Sequence, residues 1–150
     1  MLKPRIVMTA RIGSPPNMDG KRILIAEDDD KLRRMYGVLF AKELSAHAVD
    51  ITEDGREALA LMEQNEFDLV ISDLNMPTMD GRELYLRAQE LRAQQPRRKM
   101  PRFIFCSGVS AALDDVAEFC AEPGNRMMLK PFPIFEMKDA VEEVLSADNG

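Results

Sequence analysis

The sequence predicts an α/β fold, a parallel five-stranded sheet doubly wound with helices on both faces, and three observations carry that prediction. From residue 21 onward, short apolar runs alternate with segments of helical period. The runs are continuous rather than alternating in polarity, as strands buried on both faces require. Cap and turn residues fall where one kind of segment gives way to the other. Strands separated by helices pair in parallel through right-handed crossovers, which puts helices on both faces.

Arg22–Ala26 (RILIA) is the first predicted strand, and Lys31 to Lys42 is a helix with Leu32, Met35, Leu39 and Phe40 at helical spacing. Ala46–Ile51 reads as a weaker strand and Arg56–Glu63 as a short helix. Phe67–Ser72 (FDLVIS) is a third strand, followed by a helix over Arg82–Ala93. Arg102–Cys106 (RFIFC) is a fourth strand, Ala111–Cys120 a helix, Arg126–Leu129 the fifth strand, and Ile134–Leu145 the last helix, with Ile134, Met137, Val141 and Val144 inward. Asp54-Gly-Arg-Glu57 and Asp80-Gly-Arg-Glu83 both resemble capping boxes. Ser110 suits the N-cap of the fourth helix, and Pro133 the first turn of the fifth.

Length and composition bound the function. The 150 residues suit one domain, with 45% hydrophobic and 31% charged residues. Residues 1–20 hold three prolines and two of the glycines without a sustained period, and read as a flexible leader or linker; 21–147 form the domain, and 148–150 a tail. Acidic residues outnumber basic ones 26 to 20, a net charge of −6 that argues against nucleic acid as a direct partner. No apolar run approaches the ~20 residues of a membrane span, and the pattern of a basic start, an apolar stretch and a small-residue cleavage site is not seen, so secretion is not expected. Cys106 and Cys120 make no CxxC pair, which fits a reducing cytoplasm. His47, the single histidine, opens a predicted strand and reads as an edge residue, and the Arg97-Arg98-Lys99 run as a solvated loop.

In such sheets ligands bind beyond the carboxyl ends of the strands, where strand order reverses. The first strand ends in Glu27-Asp28-Asp29-Asp30, the third in Asp73, the fourth in Ser107-Gly108 and the fifth in Lys130-Pro131. Converging carboxylates repel one another unless a hard cation sits among them, and magnesium suits such an oxygen set. An aspartate at the end of a buried strand is a possible phosphoryl acceptor. Lys130 offers countercharge and Ser107 a hydroxyl, and phosphoryl transfer is largely positioning and charge stabilisation. Asp29 and Asp30 read instead as first-turn helix residues favoured by the helix dipole.

ILIAEDD (23–29), DLVISDLNMPTMDG (68–81), FCSG (105–108) and LKPF (129–132) stand in this order and spacing. On these motifs the chain resembles a response-regulator receiver domain of two-component signalling over about residues 21–147. The resemblance implies the flavodoxin-like strand order 2-1-3-4-5. It implies that Asp73 is phosphorylated by a histidine kinase or a histidine phosphotransfer protein. Asp28, Asp73 and the backbone carbonyl of Asn75 would hold Mg2+, with Glu27 acting through water and Mn2+ able to substitute. The Asn75 side chain would face the phosphoryl site, and Ser107 would be the switch hydroxyl with Gly108 the small residue beside it. Lys130 would pair with the phosphoryl group across a cis Lys130–Pro131 peptide.

The family's switch aromatic falls at Met127, a departure that puts the usual rotamer coupling in question. The implied protein is a phosphoacceptor that assists its own phosphorylation and dephosphorylation rather than an enzyme on other substrates. It would dock a downstream protein on the face of the fourth helix, fifth strand and fifth helix, with a homodimer left open. Both a stand-alone receiver and one from a hybrid sensor kinase or multidomain regulator fit. A magnesium-dependent phosphohydrolase with an aspartate nucleophile is the rival chemistry; such enzymes carry a second Asp where Asn75 stands.

Overall fold

The computed structural model describes residues 10–12, 20–121 and 124–147. Apart from 10–12 and Gly20, the stretch expected as a leader lies outside the described residues, as does the tail 148–150. In chain order the strands are β1 (Ala10–Ile12), β2 (Arg22–Ala26), β3 (Ala48–Thr52), β4 (Leu69–Asp73), β5 (Arg102–Ser107) and β6 (Arg126–Leu129). The helices are α1 (Asp30–Glu43), α2 (Gly55–Gln64), α3 (Gly81–Gln94), α4 (Ser110–Asp114) and α5 (Ile134–Ala147).

The sheet order is β1-β3-β2-β4-β5-β6. The five strands from β2 on are parallel, in the order the resemblance implies. The three-residue β1 was not expected; it pairs antiparallel with β3, Ala10 opposite Ile51 and Ile12 opposite Val49. So short a segment shows no period of its own, and backbone pairing at a free sheet edge is enough to order it.

Because successive strand residues point to opposite faces, each apolar run feeds two cores. Ile23, Ile25, Ile71 and Ile104 pack under α1 and α5. Leu24, Val70, Phe103 and Phe105 pack under α2 and α3. This double burial is why the strands carry no polar alternation.

Three details depart from expectation. Met35 is 44% exposed, while its neighbour Tyr36 is fully buried with Leu39 and Phe40. Leu32, Leu39 and Phe40 face the core as expected, and Tyr36 takes the place expected of Met35. The fourth helix does not run from Ala111 to Cys120: α4 ends at Asp114, and a 3-10 turn covers Ala117–Cys120. In that tighter winding residues three apart eclipse, which turns Val116 and Phe119 together onto the core. Ser110 is the first helical residue and not the cap. Val109 precedes it without a side-chain cap, and its N–H donates to Ser107 Oγ at 3.0 Å.

The other caps form. Asp54 accepts from the Glu57 N–H at 2.9 Å and Asp80 from the Glu83 N–H at 2.8 Å. Glu57 reaches back to the Glu53 N–H, one residue before the cap. Pro133 stands just before α5, its carbonyl accepting from the Glu136 N–H at 2.9 Å. The basic loop is partly structural: Arg98 donates to the carbonyls of Met62 (2.6 Å), Glu63 (3.0 Å) and Asn65 (3.1 Å), satisfying the C-terminal end of α2. Lys99 pairs with Asp68. His47 is half-buried at the start of β3, where its Nδ1 accepts from the Lys21 N–H.

Candidate functional site

The strand β2 lies between β3 and β4, so the chain leaves it in one direction and β4 in the other; the crevice between their carboxyl ends is where this sheet offers a site. Five of the expected site residues arrive there at a strand end. Glu27 and Asp28 follow β2, Asp73 closes β4, Ser107 closes β5 and Lys130 follows β6.

One carboxylate oxygen from each of Glu27, Asp28 and Asp73 lies within 4.8 Å of the others. Glu27 is buried to 1% exposure and Asp73 to 6%, whereas Asp28 is exposed. Lys130 bridges the buried pair, its Nζ donating to Glu27 Oε1 at 2.8 Å and to Asp73 Oδ2 at 3.0 Å. Glu27 Oε2 also accepts from the Asp29 N–H at 3.2 Å. Asp73 Oδ1 accepts from the Asn75 N–H at 3.2 Å, and the Asn75 side-chain amide donates to Ser107 Oγ at 2.9 Å. The Lys130–Pro131 peptide is cis.

Burial is the largest influence on Glu27 and raises its carboxyl to about 7. The hydrogen bond from Lys130 opposes that rise, and the neighbouring charge of Asp73 adds to it. Burial works against the Lys130 ammonium, but the two carboxylates outweigh it and hold this lysine above its ordinary value. Asp29 behaves as a cap: it accepts from the N–H groups of Leu32 and Lys31, which lower its carboxyl. Cys106, adjacent on β5, is buried and its thiol is pushed up to about 12 by desolvation, so it is inert packing.

An all-oxygen set of three clustered carboxylates, one of them exposed, fits a hard divalent cation that keeps part of its water shell. Gly108 is exposed, and a Cβ there would meet nothing within 4 Å, so packing does not demand a glycine. Met127, on β6, points outward at 40% exposure beside Leu129 at 52%. It makes no part of the acidic cluster.

Gly81, read from the sequence only as part of the Asp80-Gly-Arg-Glu83 turn, also shapes the site, and Asn125, which the sequence reading missed, braces the sheet. Gly81 opens α3, where a Cβ would fall 2.6 Å from the Asp73 carbonyl oxygen, so only glycine lets this helix abut the end of β4. Asn125 ties the 3-10 turn to the sheet, donating to the Phe119 carbonyl at 2.9 Å and accepting from the Phe103 N–H at 2.8 Å. Neither of these contacts announces itself in a sequence, since each depends on how the elements pack.

The loop after β4 is strained. Thr78 has φ of 68°, a left-handed conformation that a β-branched residue adopts at a cost. Replacing Thr78 by Gly should therefore stabilise the protein by ~1 kcal/mol. An unchanged or lower midpoint in urea titration would contradict this.

Residues 23–142 match the response regulator receiver domain family. The chain is 33% identical over 128 residues to the response regulator receiver protein CpdR of Brucella abortus, covering 85% of this chain and 98% of that one. It is 36% identical over 126 residues to the sensor kinase CckA of the same organism, covering 82% of this chain but only 12% of that much longer protein. Among solved structures it is similar to the chemotaxis protein CheY4 of Vibrio cholerae, with a TM-score of 0.64, 27% identity, and 83% and 98% of the two chains covered. It is also similar to the response regulator TrrA of Thermotoga maritima in complex with Mg2+ and BeF, with a TM-score of 0.61 and 25% identity, covering 83% and 98%.

Proposed function

The chain belongs to the response regulator receiver family, and on that premise we propose that it is a phosphoacceptor in two-component signalling, with Asp73 as the residue modified. The observation that carries the reading is the placement of Asp73: a carboxylate at a strand end, flanked by two further carboxylates and held by a lysine at 3.0 Å. An oxygen of Asp73 attacks the phosphorus of a phosphohistidine on a partner kinase or phosphotransfer protein. The phosphorus–nitrogen bond breaks, and the departing imidazole nitrogen keeps the electron pair and takes up a proton.

Each neighbouring side chain has a part in that step. Lys130, already hydrogen-bonded to the Asp73 carboxylate, follows the incoming phosphoryl oxygens as countercharge. Asp28 and Asp73, with the Asn75 carbonyl, would hold magnesium, Glu27 acting through water; manganese would serve in its place. When bound, the ion supplies positive charge against the phosphoryl oxygens. Ser107 Oγ now sits between the Asn75 amide and the Val109 N–H. Drawing the hydroxyl towards a modified Asp73 must break the first of these bonds. The second links Ser107 to the residue before α4, which gives the modification a route to that helix.

The downstream surface in this reading is the face of α4, β6 and α5, where Met127, Leu129 and Phe135 are exposed. No helix among the described residues is long and apolar enough to cross a membrane. The similarity to CckA keeps open a place for this chain within a larger signalling protein.

The test is labelling by a small acyl phosphate. One phosphoryl group per chain should be taken up, released by hydroxylamine and prevented by EDTA. A label that resists hydroxylamine, or no label at all with magnesium present, would defeat the proposal.

A further inference from the structure

We propose that Arg33 is a positioning residue that aims the Asp28 carboxylate by clamping the peptide in front of it; the inference rests on the phosphoacceptor reading and adds a residue to it. Among the described residues, no hydrogen bond or ion pair holds the exposed Asp28 side chain. With no partner to fix its rotamer, the space its carboxylate can reach is set by its backbone. That backbone is pinned on three sides. The Glu27 N–H donates to the Thr52 carbonyl at 3.1 Å, and the Asp29 N–H donates to Glu27 Oε2 at 3.2 Å. The third tie is Arg33: from the first turn of α1 its Nη1 donates to the Glu27 carbonyl at 2.8 Å.

The arginine is itself prepared for this contact. Its side chain is only 15% exposed, and its other terminal nitrogen faces Asp30 and, at 3.9 Å, Glu53. The fork thus joins three segments: the end of β2, the start of α1, and the loop after β3. A planar guanidinium can serve a carbonyl and carboxylates at once, which a point charge on a lysine cannot do with the same fixed geometry. Partners that orient ligands in this way commonly contribute about tenfold or more to metal affinity.

Charge and geometry predict opposite results, which makes the role testable. Arg33 is a cation close to an anionic cluster. Removing it should tighten divalent binding if its charge were all that mattered. Removing it should weaken binding if it holds Asp28 in place.

The experiment titrates Mn2+ by electron paramagnetic resonance and Mg2+ by calorimetry into wild type, Arg33→Met and Asp28→Asn. Amide hydrogen exchange at residues 27 and 29, whose N–H groups are the bonded ones, is followed in EDTA. Arg33→Met keeps an unbranched helical side chain. It should bind both ions about tenfold more weakly and exchange the two amides faster with no ion present. Should it fail to fold, Arg33→Gln, too short to reach the carbonyl, takes its place with the same expectation.

Equal or tighter binding in a folded variant overturns the inference and leaves the phosphoacceptor reading standing, provided Asp28→Asn weakens binding. A wild type that binds neither ion overturns both.

Discussion

Asp73→Asn should take up no phosphoryl group from a small acyl phosphate, a loss larger than any other single change at the site should produce. The amide carries no charge, and its nitrogen pair is delocalised, so the nucleophile is removed while the shape remains. The fold should survive. An asparagine has the same shape and keeps one acceptor oxygen, which can replace one of the two carboxylate oxygens that now accept from Lys130 at 3.0 Å and from the Asn75 N–H at 3.2 Å, and Lys130 keeps its bond to Glu27. Circular dichroism of the variant should match wild type while labelling falls to background. Equal labelling of the two proteins would place the acceptor elsewhere. The same experiment addresses the rival chemistry. A phosphohydrolase would release many equivalents of phosphate per chain. The residue two beyond Asp73 is Asn75, whose amide is engaged with Ser107 and offers no acid or base for such turnover.

How far a sequence discloses such a site depends on which contacts build it. Parallel topology carries every strand's carboxyl end to one sheet edge, so Glu27, Asp28, Asp73, Ser107 and Lys130 could be placed together from their positions at the ends of apolar runs. The caps Asp54 and Asp80 were legible for the same reason, being local chemistry. What stayed hidden depends on tertiary contact. The outward turn of Met35 is set by which neighbour best fills the space under α1, and Tyr36 wins it. The break after α4 follows from Val116 and Phe119 both seeking the core. Phe119 there stacks on Tyr85 with ring centroids 4.3 Å apart. Arg98 reads as loop charge until the exposed carbonyls of α2 are seen beneath it. The Asn75–Ser107 hydrogen bond spans 32 residues, and only the assembled sheet edge reveals that these two groups already compete for the position the proposed switch requires.

Lys130→Met should destabilise the protein strongly at pH 8 and much less at pH 5, measured by urea unfolding in EDTA. The lysine is the only cation bonded to both Glu27 and Asp73 among the described residues, and both carboxylates are buried. Removing one partner from such a cluster leaves charge uncompensated, at a cost of about 3 kcal/mol. The pH dependence comes from Glu27. Its carboxyl is raised from 4.5 to about 7 in the folded protein, so the contribution of Glu27 to stability is fully present below about pH 4.5 and is lost as pH rises through 7. Lys130 opposes that rise. Without it, Glu27 holds its proton to still higher pH, and the stability lost on ionisation grows. At pH 5 Glu27 is mostly protonated in either protein, and the difference between them shrinks. Lys130 itself adds no slope in this range, because its pKa is raised above an already high value and it stays charged in both the folded and unfolded chain. A destabilisation of equal size at both pH values would mean that the lysine acts through packing of its stem rather than through the two carboxylates.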